Sequence, residues 1–168
     1  VGSGPVNEAP YRLIEDVQFG EGVVVHPFTN LYGCQIGDGT RIGPFVEIQR
    51  GARIGARCKI QSHAFVCDGV QIEDDVFVGH GVLFINDKYP RAVSEGGELQ
   101  TAEDWEVVRT VVERGSSLGS GSIILAGIRI GADSVIGAGA VVTRNIETRA
   151  VVVGNPARLL AHRPGESA

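Results

Sequence analysis

Gln35-Ile36-Gly37-Asp38-Gly39-Thr40-Arg41-Ile42-Gly43-Pro44-Phe45-Val46-Glu47-Ile48 is the stretch on which the fold turns. Its large apolar residues stand six apart, and the series runs on through Ile54, Ile60, Val66, Ile72, Val78 and Phe84. It resumes as Val112, Leu118, Ile124, Ile130, Ile136 and Val142, and is anticipated by Phe19, Val25 and Leu31. A period of six is neither the 3.6 of a helix nor the plain alternation of one strand. It suits a coil of three short strands and three corners, about 18 residues per turn. Gly often follows the apolar residue, as at Gly37, Gly43, Gly55 and Gly119, and four places after it comes a small or β-branched residue such as Thr40, Ala52 or Ser116. The large residue is expected to fill the interior, the small one to fit where the prism narrows, and Gly to ease the corners. The expectation is an all-β chain, a parallel β-helix of about six coils, roughly 29 Å long at about 4.8 Å per coil.

The rest of the chain divides around this repeat. Residues 1–16 read as a leader and N-terminal cap, and 17–142 as the β-helix. The register fails between Phe84 and Val112, so residues 86–108 read as an inserted loop bearing Tyr89, Arg91 and Trp105. Long ordered loops in compact domains are often functional. Residues 143–168 break the period and are expected to cap the far end, with a short helix near Pro156 to His162.

Composition limits the partners. The 168 residues include 24 Gly and carry a net charge of −5, which argues against nucleic acid. Apolar runs such as Ile123-Ile124-Leu125-Ala126 fall far short of the roughly 20 residues of a membrane span, and the opening residues lack a basic-then-apolar export pattern. Cys34, Cys58 and Cys67 are odd in number and lack CxxC spacing, which disfavours zinc or a disulfide framework. A cytoplasmic protein is the expectation. Cys58, at a small inward position, reads as a buried structural thiol. Residues 73–106 carry nine Asp or Glu against Lys88 and Arg91, whereas residues 141–168 carry four Arg against Glu147 and Glu166. The C-terminal end is the better place for a phosphate.

The hexad pattern resembles the left-handed β-helix of the hexapeptide-repeat acyltransferases. Ile136-Gly137-Ala138-Gly139-Ala140-Val141-Val142-Thr143, followed by Val153-Gly154-Asn155-Pro156-Ala157-Arg158, is similar to that family's C-terminal signature. Phe84-Ile85-Asn86-Asp87-Lys88-Tyr89-Pro90-Arg91 is similar to a segment of bacterial N-acetyltransferases acting on nucleotide-linked 3-amino sugars. The resemblance implies a homotrimer with acetyl-CoA in the groove between prisms and the nucleotide sugar beneath the loop. Gly119, Ala126, Gly127, Ala138 and Gly139 would let the pantetheine arm approach the wall, and each is also explained by the fold alone. Asn155 and Pro156 belong to the same cofactor end, and Arg144 and Arg158 are candidates for the cofactor phosphates.

Acyl transfer to an amine needs a neutral amine against the thioester carbonyl, a donor for the oxyanion, and a destination for the amine proton. The resemblance implies that Asn86 orients the sugar amine while the departing sulfur takes the proton. His80, six residues before Asn86, stands where enzymes of that group commonly carry another residue, so a base or polar contact at His80 stays open beside a packed or solvated corner residue. His63 lies 17 residues before His80 and is expected at the same edge on the adjacent coil, toward the substrate. Asp87, Tyr89 and Arg91 are candidates for contacts to the sugar or for ordering the loop, and Trp105 for anchoring it. A metal-dependent hydratase on such a prism would need converging histidines, and none occurs from Gly81 to Ala161. The alternatives are a 4-amino or hydroxyl acceptor, and a non-catalytic assembly module.

Overall fold

Most hexads form a two-residue strand whose first residue faces out and whose second turns in; Thr29–Tyr32, Val70–Ile72 and Thr110–Val112 are longer. Arg41–Ile42, Arg53–Ile54 and Lys59–Ile60 pair an exposed cation with a buried isoleucine. A chain that changes direction every six residues presents one inward side chain per strand, which is why the period is neither two nor 3.6. The computed structural model describes residues 11–101, 104 and 106–163. Over these the strands stack in three sheets, making an all-β, left-handed parallel β-helix.

Face I runs from Arg12–Glu15 through Leu83–Phe84 to Val141–Val142, and face II from Gln18–Phe19 to Arg129–Ile130. Face III runs from Val24–Val25 through Phe77–Val78 to Ala150–Val153, and then takes on Arg158–His162. The sheets hold seven, six and eight strands, somewhat more than about six coils. The additions come at the ends: Arg12–Glu15 pairs with Thr29–Tyr32, and Ala150–Val153 continues face III beyond the last regular hexad. Register repeats by one coil, Ile42 against Ile60 and Ile60 against Val78, and skips the insertion by setting Val78 against Leu118.

The inward series is buried from Leu31 to Val142, whereas Phe19 at the N-terminal end is 42% exposed, because among the described residues no coil lies beneath it. The small inward positions are buried as well; Thr40 and Ser116 bond to corner backbone groups, Ser134 Oγ donates to Ser116 Oγ at 3.4 Å, and Ser122 Oγ has no hydrogen-bond partner among the described residues. Thr40 Oγ1 donates to Gly55 O at 2.8 Å and accepts from Cys58 N–H at 2.9 Å, and Ser116 Oγ donates to Gly131 O at 2.9 Å. Such pairing removes the cost of burying a hydroxyl. Burial pushes the Cys58 thiol up, Cys34 to about 11 and Cys67 to about 12.

The glycines serve two purposes. The glycine straight after the apolar residue is not there for an unusual backbone angle. A Cβ on Gly37 would lie 2.6 Å from the Gly55 carbonyl carbon of the next coil, so the coils could not approach. The left-handed conformation falls two positions later, as at Gly39 with φ +66°.

The C-terminal segment is a strand, not the expected helix. Arg158–His162 folds back antiparallel on Ala150–Val153, which offers it a free row of backbone groups.

Candidate functional site

The edge joining face III to face I changes character halfway up. On the N-terminal coils it is an aromatic ladder: Tyr11, Phe28, Phe45 and His63 stack with centroids 5.2, 5.0 and 4.9 Å apart. Phe28, Phe45 and His63 all hold positive φ, an uncommon conformation for bulky residues. On the C-terminal coils the same corner position is Gly81, Gly121 and Gly139, where an added Cβ would meet nothing within 4 Å. The edge is therefore filled up to His63 and bare from Gly81 onward.

His80 stands at this boundary, exposed, with Nδ1 2.8 Å from Ser62 Oγ on the coil below. The backbone around it is pinned on both sides. Gly81 N–H donates to Ser62 O at 3.0 Å, and Gly121 N–H donates to His80 O at 2.8 Å. The structure thus places His63 and His80 on adjacent coils of one edge, with Gly119, Ala138 and Gly139 on the coils above them.

Asn86 lies elsewhere. It occupies the edge between faces I and II, across the Leu83–Phe84 strand from His80, and its Nδ2 reaches Asp68 O at 3.4 Å. One chain does not bring Asn86 and His80 together. The insertion leaves the stack here, as expected, and Asp87 Oδ1 accepts from Tyr89 N–H at 2.8 Å, ordering the loop's first turn. Asp87, Lys88, Tyr89, Ala126, Gly127 and Thr143 line a hollow of about 500 Å³ under the loop. Candidates assigned to substrate (Asp87, Tyr89) and to cofactor (Ala126, Gly127) meet in it. Arg91 is exposed farther along the loop, and Trp105 lies outside the described residues.

Arg144 and Arg158 converge at the C-terminal end, where with Asn145, Glu147, Val152 and Leu159 they line a hollow of about 170 Å³. Asn155 and Pro156 form the exposed turn beside it. The third edge, between faces II and III, carries Arg57 bonded to Asp75 at 2.7 and 2.9 Å. That hydrogen bond holds the Asp75 carboxyl below its ordinary range. It ties coils together well away from His80.

Reading the sequence missed three partners. The ladder was available as a 17- or 18-residue spacing of aromatic rings, and Ser62 as the residue one coil before His80. Lys88, whose Nζ would lie 3.4 Å from a Cβ on Gly127, had no such signal, because the loop has no repeat to index it. Among the described residues no group of three or more His, Cys, Asp or Glu could hold a metal ion, and no helix is long and apolar enough to cross a membrane.

Comparison with known proteins agrees with this architecture. Residues 109–144 match the family described as bacterial transferase hexapeptide (six repeats). A dTDP-3-amino-3,6-dideoxy-alpha-D-galactopyranose 3-N-acetyltransferase of Aneurinibacillus thermoaerophilus is 51% identical over 51 residues, 30% of this chain and 27% of that protein. A bifunctional protein GlmU of Alkalilimnicola ehrlichii is 29% identical over 99% of this chain and 36% of its own length. The chain thus spans about a quarter to a third of these curated relatives. Among solved structures, a hexapeptide-repeat acetyltransferase of Vibrio cholerae complexed with acetyl coenzyme A superposes with a TM-score of 0.65 at 26% identity, covering 77% of this chain and 70% of that one. An N-acyltransferase of Bacillus cereus in complex with dTDP and coenzyme A shares the fold, with a TM-score of 0.76 at 17% identity, over 88% and 84% of the two chains. The repeat, the coil register and these matches together make the chain similar to the hexapeptide-repeat transferases, with the family match itself confined to residues 109–144.

Proposed function

We propose that the protein transfers acetyl from acetyl-CoA to the amine of a nucleotide-linked amino sugar, a dTDP-3-amino-3,6-dideoxyhexose or a UDP-linked 3-amino sugar first among them. The observation that carries the reading is the 51% identity to an enzyme named for that acceptor. The geometry supports it. The bare edge at Gly81, Gly121 and Gly139 accepts a thin, extended arm without a side-chain clash. Backbone groups at corners that the sheets leave unused are suited to the arm's amides. Arg144 and Arg158 supply positive charge at the C-terminal end for the cofactor phosphates. At the lower end of the bare edge His80 is available as the base, with Asn86 to orient the amine.

Because His80 and Asn86 lie on opposite edges of face I, this reading requires a neighbouring copy. The flanks of the His80 edge fit one. On the upper coils face I shows Phe65, Leu83, Ile123 and Val141 outward, and face III shows Phe77, Ser117, Val135 and Val151. Below them lie polar coils bearing Asn30 and Glu47 on face I and Arg41 and Lys59 on face III, whereas face II shows Arg53, Gln71, Val111 and Arg129. The largely apolar upper halves of faces I and III, meeting at one edge, suit closure into a trimer, each face I against the next copy's face III. The loop of one copy would then reach the His80 edge of another.

The test is thiol release from acetyl-CoA against a panel of nucleotide-linked 3-amino and 4-amino sugars and a galactoside. Turnover with a 3-amino sugar is expected, and turnover confined to another acceptor refutes the assignment. A hydroxyl acceptor is the second reading, favoured by a galactoside O-acetyltransferase of Lactococcus lactis 46% identical over 48 residues.

A further inference from the structure

We propose that Ser62 is the positioning residue for His80, holding the imidazole with its proton on Nδ1 so that Nε2 faces the bare edge as a lone-pair acceptor. The inference rests on the reading of His80 as the base.

The argument starts with the coil register. Ser62 lies one coil below His80, and the carbonyls of both residues accept N–H groups from the coil above each, at 3.0 and 2.8 Å. Their backbones are therefore fixed relative to one another, and the exposed ring of His80 keeps only its side-chain torsions. The 2.8 Å contact between Ser62 Oγ and Nδ1 removes that freedom. The two ring nitrogens point to different sides of the imidazole, so directing Nδ1 at Ser62 turns Nε2 away from it. Above lies the coil of Gly119, Ser120 and Gly121, whose corner carries no side chain at Gly121.

A serine hydroxyl both donates and accepts, and which tautomer it selects is a matter of the proton. Amide formation needs an acceptor. The amine nitrogen bonds to the acetyl carbonyl carbon, the carbon–sulfur bond breaks, and the amine proton passes to Nε2 and from there to the departing CoA thiolate. If Ser62 accepts from Nδ1–H, this hydrogen bond is the same before and after Nε2 takes the proton, so the ring need not turn during the reaction.

Two-bond proton–nitrogen NMR of the histidine-labelled full chain reads the tautomer without substrate. The native protein should show His80 protonated on Nδ1, Ser62→Ala should lose that preference, and Ser62→Thr should retain it. With acetyl-CoA and dTDP-3-amino-3,6-dideoxygalactose, Ser62→Ala should lower kcat about tenfold, the scale of one ordinary hydrogen bond, with KM unchanged. Ser62→Thr should restore it. A native His80 protonated on Nε2, or a tautomer indifferent to Ser62→Ala, overturns the proposal whatever the turnover. A His80→Ala enzyme at full turnover, with the native tautomer as expected, overturns the base reading and reduces the Ser62 contact to a structural one.

Discussion

Gly119 and Gly121 sit two residues apart in one corner, yet alanine at each should fail for a different reason and by a different amount. On Gly119 a Cβ would lie 2.5 Å from Ala138 N and 2.7 Å from both Gly137 C and Ile136 O, all backbone of the next coil. The closest approach is about 0.9 Å short of ordinary contact, and backbone cannot rotate aside as a side-chain end can. Opening the gap stretches the Gly119 N–H bond to Ile136 O, now 2.8 Å, past useful length. A lost hydrogen bond of about 1 kcal/mol and an overpacking cost of about 1–3 kcal/mol, less about 0.5–1 kcal/mol from a stiffer unfolded chain, leave about 1–3.5 kcal/mol. For a chain of this size that lowers Tm by about 2–14 °C. On Gly121 the Cβ meets open space, and only the positive φ of 69° is strained. Left-handed strain of about 1–2 kcal/mol, less the same unfolded-state gain, leaves about 0–1.5 kcal/mol and predicts a fall of about 0–6 °C. Gly121→Asn should cost less still, since asparagine tolerates that region. Thermal unfolding of the variants at one protein concentration makes the comparison. A Gly121→Ala protein that melts at or below Gly119→Ala would refute the claim that coil approach, not corner geometry, fixes the glycine after the apolar residue.

Phe45, like Phe28, is stacked on both sides, so Phe45→Ala should cost about 1–3 kcal/mol, while Phe45→Gly should cost less by relieving its positive φ; urea midpoints decide the order. Asn86→Ala should lower kcat at least tenfold with little change in Tm, because its side chain makes one long bond to Asp68 O; a large loss of Tm would make it a structural residue. The buried thiols make stability fall in alkali. Cys34 and Cys67, raised from 9.0 to about 11 and about 12, keep their protons in the folded chain while the unfolded chain loses them, so their stabilisation is intact below pH 9 and declines from there through pH 11–12. The urea midpoint should drop between pH 8.5 and pH 10.5, and Cys34→Ala together with Cys67→Ala should flatten that slope.

What could be read from residues alone follows from where the repeat is strict. Ile42, Ile60 and Val78 face one interior on successive coils, so one requirement recurs and the sequence repeats it. The small positions at Thr40 and Ser116 were legible for the same reason. The ends were not. Arg12–Glu15 and Arg158–His162 pair through backbone groups, which place no periodic demand on side chains. The site divides likewise. His63 and His80 were placed on one edge by counting coils, whereas the Lys88 contact depends on the path of a loop outside the count. The separation of Asn86 from His80 was hidden because nearness in sequence, six residues, spans the full width of a face.

The final reversed strand bears on how long such a molecule can grow. A parallel stack is a one-dimensional lattice, and its last coil is a template for the next, from the same chain or from another molecule. Arg158–His162 covers the edge of Ala150–Val153 on which a further coil would otherwise pair, and, exposed along its whole length, it presents no inward side chain for that coil's interior to continue. The hairpin is a terminator, written once in about a dozen residues, that blunts face III against end-to-end polymerisation.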